Sequence, residues 1–379
     1  MKKFFLTIII GILVQCSSIA QSVKTASDYF KEGKELKEQK KYKEAALAFS
    51  MATEKQTDYG EAFYEAGWCN NELEDYKKAV VNLQNAIKLG FEKSKVYFEL
   101  GYALENTTEK DKAKANYKKA IELYPEYYAA YLSVGNLYYA EKDYETALKN
   151  YTEYFKDEDV ENSYYYRAGW CSNELEKYAD ALAYLEKYKP EDSVGVAQKY
   201  EELGYANYKL DKNDEAVVAY KLAIEAKPDD GPAIRGLGNV YYDNTHQYSE
   251  AIKLYELAIE KDEKNSKYCY YKLGWLYNDA ERYTDAITVL QKAIEYDAKD
   301  AATREELGYA YYMTDKYEQS VVELKKAIGF NPKSKLGYYY LGLCYVAQNK
   351  KSDAKSVYEK LKLINGEQAE KLLKKINEG

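Results

Sequence analysis

Apolar and small residues recur along the chain in a pattern that is helical over short distances and periodic over a longer one. Ten glycines, Gly33, Gly67, Gly101, Gly135, Gly169, Gly204, Gly238, Gly274, Gly308 and Gly342, follow one another at spacings of 34, 34, 34, 34, 35, 34, 36, 34 and 34 residues. With each glycine set at position 8 of a unit, an aromatic residue usually stands at position 4 (Tyr29, Phe63, Tyr97, Tyr131) and often a tyrosine at 11. The second half of the unit carries tyrosine at 17, alanine at 20, a bulky residue at 24 and alanine at 27, as in Tyr42, Ala45, Phe49 and Ala52. Positions 4, 7, 8 and 11 fall on one side of a helix, and 20, 24 and 27 on one side of a second. The pattern therefore predicts ten helix-turn-helix pairs. Small residues at 8 and 20 let the two helices approach closely, while the large residues at 4, 11 and 24 fill the space around that contact. A glycine inside a helix costs about 1 kcal/mol against alanine, and close packing is the reading that explains it. Gly236-Leu237-Gly238 looks like part of a dinucleotide fingerprint, but it lacks the third glycine and lies in a helical unit.

Units such as YEAGWCNNELEDYKKAVVNLQNA and YYKLGWLYNDAERYTDAITVLQKA carry the signature positions of the tetratricopeptide repeat family, which the chain resembles over residues 22–365. The resemblance implies an all-α fold, a right-handed superhelical solenoid of about ten helix-turn-helix repeats with a concave groove lined by the first helices. Residues 366–379 (GEQAEKLLKKINEG) are expected to form a C-terminal capping helix, because the last repeat would otherwise expose its stacking face. Extra residues near 244–247 in the seventh unit, and one near 189–195 in the fifth, predict bends there.

A second period overlies the first. Trp68, Trp170 and Trp275, the only tryptophans, stand at position 9 of units two, five and eight, and Pro125, Pro228 and Pro332 close units three, six and nine. Units three, six and nine share the string ELGYA, and units four and seven carry VGNLYY and LGNVYY. The chain reads as a three-repeat block copied three times, a pattern that duplication alone could leave behind. The residues involved add to it. Positions 5, 9 and 12 form a helical stripe apart from the packing stripe, and in the resembling family that stripe faces the groove. It holds Tyr64, Trp68 and Asn71; Tyr166, Trp170 and Asn173; and Tyr271, Trp275 and Asn278. The following units add Phe98 and Tyr102, Tyr205 and Tyr208, and Tyr309 and Tyr312. Of the 46 tyrosines, 24 sit at packing positions 4, 11, 17 or 24 and need no functional account, whereas 12 lie at positions 2, 5, 9 or 12. Rigid aromatic rings beside amides and carboxylates suit recognition, because they bury area at low side-chain entropy. These fifteen named residues are the candidate partner-binding set.

Composition narrows the chemistry. His246 is the only histidine, so histidine zinc sites and Ser-His or Cys-His nucleophile systems have no basis in the sequence. Acidic pairs such as Glu201-Glu202 and Glu305-Glu306 read as solvated helix surface rather than glycosidase carboxylates, and no calcium-loop motif occurs. No enzyme activity, cofactor or metal is predicted. Beyond Cys16, the cysteines Cys69, Cys171, Cys269 and Cys344 fall in non-adjacent units, so bonds between them are not expected.

The first twenty residues read as a signal peptide: Lys2 and Lys3, an apolar run over residues 4–14, and Ser18-Ile19-Ala20 ahead of the expected cleavage site. Leu13-Val14-Gln15-Cys16 resembles a lipoprotein box, although Gln15 departs from it, so lipidation at Cys16 is the minor alternative to simple export. The apolar run is too short to span a bilayer, which takes about 20 residues, and no transmembrane span is expected after cleavage. Residues 21–379 carry a net charge of −10, and their basic stretches alternate with glutamates, which argues against nucleic acid as a partner. The expectation is an exported, periplasmic or secreted scaffold of the bacterial cell envelope that holds a protein or peptide partner in an aromatic-rich concave groove. A glycan is the alternative ligand. The lysine, asparagine and arginine set with which some members of the resembling family grip C-terminal carboxylates is missing here.

Overall fold

A computed structural model describes residues 24–378, and among them there are α-helices and one π-helical turn but no strand. The signal-peptide and lipobox readings lie outside the described residues. The chain divides into two compact units, the first ending at Val160 and the second starting at Glu161.

The first unit holds four helix pairs: α1 (Ala26–Glu38) and α2 (Tyr42–Lys55), α3 (Gly60–Glu72) and α4 (Tyr76–Lys88), α5 (Ser94–Asn106) and α6 (Lys110–Leu123), α7 (Tyr128–Ala140) and α8 (Tyr144–Tyr154). The second unit continues with α9 (Ser163–Glu174) and α10 (Tyr178–Lys187), α11 (Ser193–Lys209) and α12 (Asn213–Ala226), α13 (Gly231–Asn239) and α14 (Tyr248–Lys261). It ends with α15 (Lys267–Asp279) and α16 (Tyr283–Tyr296), α17 (Ala301–Met313) and α18 (Tyr317–Phe330), α19 (Lys335–Ala347) and α20 (Lys351–Ile364), and a last helix α21 (Gly366–Glu378).

The packing rule read from the sequence is the one the helices obey. In the first unit the position-20 alanines Ala45, Ala79, Ala113 and Ala147 are wholly buried. The position-8 glycines take the side chain at position 24 against bare backbone: a β-carbon on Gly101 would lie 2.7 Å from the Tyr117 ring, and one on Gly274 only 2.4 Å from Leu290. Repeat nine replaces the small alanine by Ser320, whose hydroxyl donates to the Gly308 carbonyl at 2.6 Å, so even this buried polar group is satisfied. In the last repeat Gly342 packs instead on Leu372 of α21, which also buries Ala369 and Ile376.

Every pair turns through one residue in the left-handed region, from Lys40 and Glu74 to Asp315 and Asn349. This turn accounts for the seventh repeat. The sequence places its extra residues near 244–247, but His246 keeps the left-handed geometry with φ 53°, so the turn itself is unchanged. One extra residue is taken up before it, in the π-helical turn Val240–Asn244, and the other after α14, where five residues instead of four precede α15. The extra residue of the fifth unit goes into the approach to α11, a 17-residue helix capped by Asp192, whose carboxylate accepts from the Gly195 amide at 2.7 Å.

Candidate functional site

The three-repeat period becomes a three-dimensional motif. In the first unit, the Asn71 side-chain amide at the end of α3 reaches across to α5 and donates to both the carbonyl and the carboxylate of Glu99, at 3.1 and 2.8 Å. The second unit repeats this twice: Asn173 donates to the Glu202 carbonyl and carboxylate at 3.1 and 2.6 Å, and Asn278 to those of Glu306 at 3.0 and 2.8 Å. One turn beyond each glutamate stands a tyrosine whose ring meets the first tyrosine of the preceding second helix edge-on. The pairs Tyr76–Tyr102, Tyr178–Tyr205 and Tyr283–Tyr309 all have centroids 5.9 Å apart, at interplanar angles of 75°, 81° and 89°. Position 12 of one first helix thus meets position 6 of the next, where the asparagine N–H group serves a glutamate that the packing partly covers.

Burial sets the electrostatics. Removal from water pushes the Glu99 and Glu306 carboxyls above the ordinary range, against the pull of their asparagine donors. Burial raises Glu202 to about 7, and its neighbour Glu201 likewise to about 7, with Asp230 and Glu202 adding repulsion to the latter. The outer oxygens Oδ1 of Asn71, Asn173 and Asn278 are buried without a hydrogen-bond partner.

Two of the motifs open into cavities. One, of about 300 Å³, is walled by Trp275, Tyr309 and Tyr340 and carries Asp279, Glu281, Glu305 and Glu306. The other, of about 260 Å³, is lined by Glu174, Glu201, Glu202, Tyr205 and Arg235 among others.

The predicted binding residues divide by environment. Asn71, Asn173 and Asn278 are buried and spend their donors on the glutamates; Tyr64 is 5% exposed and packs against Phe91 with Lys95 Nζ 4.3 Å from its ring. Phe98 is half-buried between Tyr117 and Tyr127, at 5.5 and 4.8 Å. The tryptophans are half-buried and have neighbours of their own: Lys37 Nζ lies 3.5 Å over Trp68, with Tyr42 edge-on to it, and Trp275 takes the edges of Tyr242 and Tyr248 at 5.5 and 5.6 Å. Trp170 is half-buried, and Tyr166 stands 5.5 Å from Tyr188. Tyr208 donates to Asp243 at 2.7 Å, Tyr271 lines a separate hollow with Tyr268 and Tyr296, and Tyr312 lies 5.8 Å from Tyr340. Tyr102 and Tyr205 are exposed, at 41% and 36%, and Tyr309 is half-buried. Sequence reading missed the partners across the helix boundary, Glu99, Glu202 and Glu306 at position 6 and Tyr76, Tyr178 and Tyr283 at position 17. The glutamate was visible as the shared first letter of the ELGYA strings.

Among the described residues no three His, Cys, Asp or Glu side chains converge to hold a metal ion. Cys69, Cys171, Cys269 and Cys344 are buried free thiols, pushed by burial to about 12, 12, 11 and 11. No described helix is long and apolar enough to cross a membrane.

Comparison with known proteins agrees with the repeat architecture. Family models described as tetratricopeptide repeat match residues 94–127 and 198–230, 135–195 and 337–363, and one described as TPR repeat matches residues 274–315. No curated protein matches the sequence significantly. Among solved structures, YrrB, a TPR protein with an unusual peptide-binding site, is 22% identical and covers 47% of this chain and 92% of its own, with a TM-score of 0.45. A MamA protein is 23% identical, covering 46% of this chain and 94% of its own at a TM-score of 0.42. MamA 41-end from Desulfovibrio magneticus RS-1 is 18% identical, covering 46% and 97% at the same score. The repeat matches fall in both compact units, within the run of helix pairs described above: the chain belongs to the tetratricopeptide repeat family.

Proposed function

We propose that the protein is a non-enzymatic scaffold of the bacterial cell envelope, exported by the signal at residues 1–20, that binds a protein or peptide partner on the tyrosine-edged face of its first helices. A tetratricopeptide array is suited to protein–protein interaction. The observation that carries the reading is the motif that recurs every three repeats, in which an exposed or half-exposed tyrosine at position 9 stands beside a partly buried carboxylate. Packing alone calls for neither. The other repeats hold their helices together without the asparagine–glutamate pair, and a ring left exposed adds nothing to a core. Rings fixed edge-on by a neighbouring tyrosine are pre-organised, so little entropy is lost when a partner covers them. The asparagines and Tyr64 support this surface from below.

Affinity capture from envelope extract tests the reading. Residues 21–379 serve as bait beside a Tyr205→Ala/Tyr309→Ala variant shown by circular dichroism to keep its helicity. A protein held by the parent and lost from the variant is the expected result. Equal captures by both forms, or polysaccharide in place of protein, would overturn it.

A further inference from the structure

We propose that the cavity bounded by α15, α17 and α19 is a receptor for the guanidinium of an arginine carried by an extended segment of the partner. The inference rests on the scaffold reading and supplies the chemistry of one of its contacts.

The cavity measures about 300 Å³ and carries four carboxylates, Asp279, Glu281, Glu305 and Glu306, with no lysine or arginine in its lining. Three basic residues on the surrounding elements are paired elsewhere, Lys272 with Asp243, Arg282 with Asp285 and Arg304 with Glu323, and Lys335, next to the lining residue Leu336, is exposed and outside the lining. Burial holds the Glu305 and Glu306 carboxyls above their ordinary range, so an arriving cation would supply a counter-charge that the chain withholds.

A second, independent observation is Asn278. It lines the cavity, is 4% exposed, and gives its amide to Glu306, while its Oδ1 has no donor. A buried acceptor left unmet costs stability, and a planar group with several N–H donors meets it while also serving the carboxylates. The ring walls fit the same ligand, since guanidinium stacks on tryptophan and tyrosine faces. A bare metal ion fits less well, because no three of the carboxylates converge on one point.

The chain itself places a cation against this motif elsewhere. The corresponding cavity around Glu201, Glu202 and Tyr205 is lined by Arg235, at position 5 of the seventh repeat. Position 5 of the tenth repeat is Tyr339, so the last copy has acids and rings but no internal arginine. In the first unit, Lys37 sits 3.5 Å over Trp68 and pairs with Glu65.

The test uses the full chain and two capped pentapeptides, one with a central arginine between glycines and one with citrulline, its neutral isostere. Binding is followed by the indole N–H resonance of Trp275, assigned with Trp275→Phe. The arginine peptide is expected to move that resonance and saturate in about the millimolar range, with the citrulline peptide at least about tenfold weaker. Glu305→Gln is expected to weaken the arginine peptide by about tenfold. Glu281→Gln, at an exposed rim residue, repeats the test where folding is not at stake. Equal responses to the two peptides, no response at about 10 mM, or unchanged affinity in both glutamine variants would each overturn the proposal. A captured partner that both variants retain would sink this inference and leave the scaffold reading standing. Selective arginine binding with no partner captured would do the reverse.

Discussion

The Asn278 side-chain amide donates twice to one residue, Glu306, which begins the second turn of the next first helix: 3.0 Å to the carbonyl and 2.8 Å to the carboxylate. The bond crosses the boundary between two repeats, where neighbour contacts rather than long-range ones hold an array together. Asn278→Ala would leave a partly buried carboxylate without its donor, and the expected cost is about 2 kcal/mol of unfolding free energy in a urea titration. Asn278→Asp should cost more, since it sets a second carboxylate against the first. A loss below about 0.5 kcal/mol for both would mean that water already serves Glu306.

Two helical glycines, one at position 8 and one outside the packing stripe, give predictions of opposite sign. A β-carbon on Gly101 would come within 2.7 Å of the Tyr117 ring, which is wholly buried and fixed through its hydroxyl to Glu105 at 2.8 Å. The ring cannot give way cheaply, so Gly101→Ala should lose about 1–3 kcal/mol to overpacking despite the better helix propensity of alanine. Gly329 in α18 has nothing within 4 Å of such a carbon. There the propensity acts alone, and Gly329→Ala should gain up to about 1 kcal/mol. Parallel denaturant titrations of the two variants would show the contrast.

Much of this was readable in advance because size and spacing repeat. Position 8 is bare and position 24 bulky in unit after unit, which leaves one way for the two helices of a pair to meet. What lies across from a side chain in the next repeat is a different matter. Asn173 on α9 and Tyr205 on α11 hold positions 12 and 9 of the same predicted stripe in successive repeats, yet Tyr205 stays exposed whereas Asn173 is covered by α11, because the stripe runs under the following first helix at its end. Periodicity assigns a face and says nothing of what covers it. The extra residues of repeat seven escaped for a related reason. Insertions are expected in turns, but here the left-handed turn at His246 is the rigid element, and the helix before it takes the extra residue as a π turn.

The turn residues yield a stabilising prediction. Thr108 holds φ at 67°, an expensive conformation for a β-branched residue, and its side chain is exposed. Relief of roughly 1–2 kcal/mol of strain outweighs the 0.4–1 kcal/mol of extra freedom that glycine brings to the unfolded chain, so Thr108→Gly should gain about 0.5–1 kcal/mol. Thr107→Gly beside it should lose stability, because that hydroxyl donates to the Leu104 carbonyl at 3.1 Å. Thermal melts of the two neighbours make the comparison, and stabilisation at 107 instead of 108 would contradict the turn geometry.

Glu201 and Glu202 make the second unit sensitive to pH near neutrality. Burial is the main cause that raises both carboxyls to about 7; Asp230 repels Glu201 and Glu174 repels Glu202, while Asn173, Arg235 and Lys227 pull in the other direction. A carboxyl whose folded pKa lies above its ordinary 4.5 binds protons more readily folded than unfolded. Its contribution is therefore complete below that ordinary value and is lost as pH rises through about 7. Glu65 behaves oppositely, since Lys37 and Lys34 hold it below the ordinary range, and its contribution is lost only in stronger acid. In the window from about pH 7.5 down to about pH 5.5 the pair acts in the same direction as the raised carboxyls of Glu99, Glu305 and Glu306, and across it the thermal midpoint should rise. Glu201→Gln/Glu202→Gln should be more stable than the parent at the upper end and show a flatter profile. A parent midpoint that falls on acidification, or a double variant that keeps the full slope of the parent, would place the titration elsewhere and leave these two carboxylates ionised in the fold.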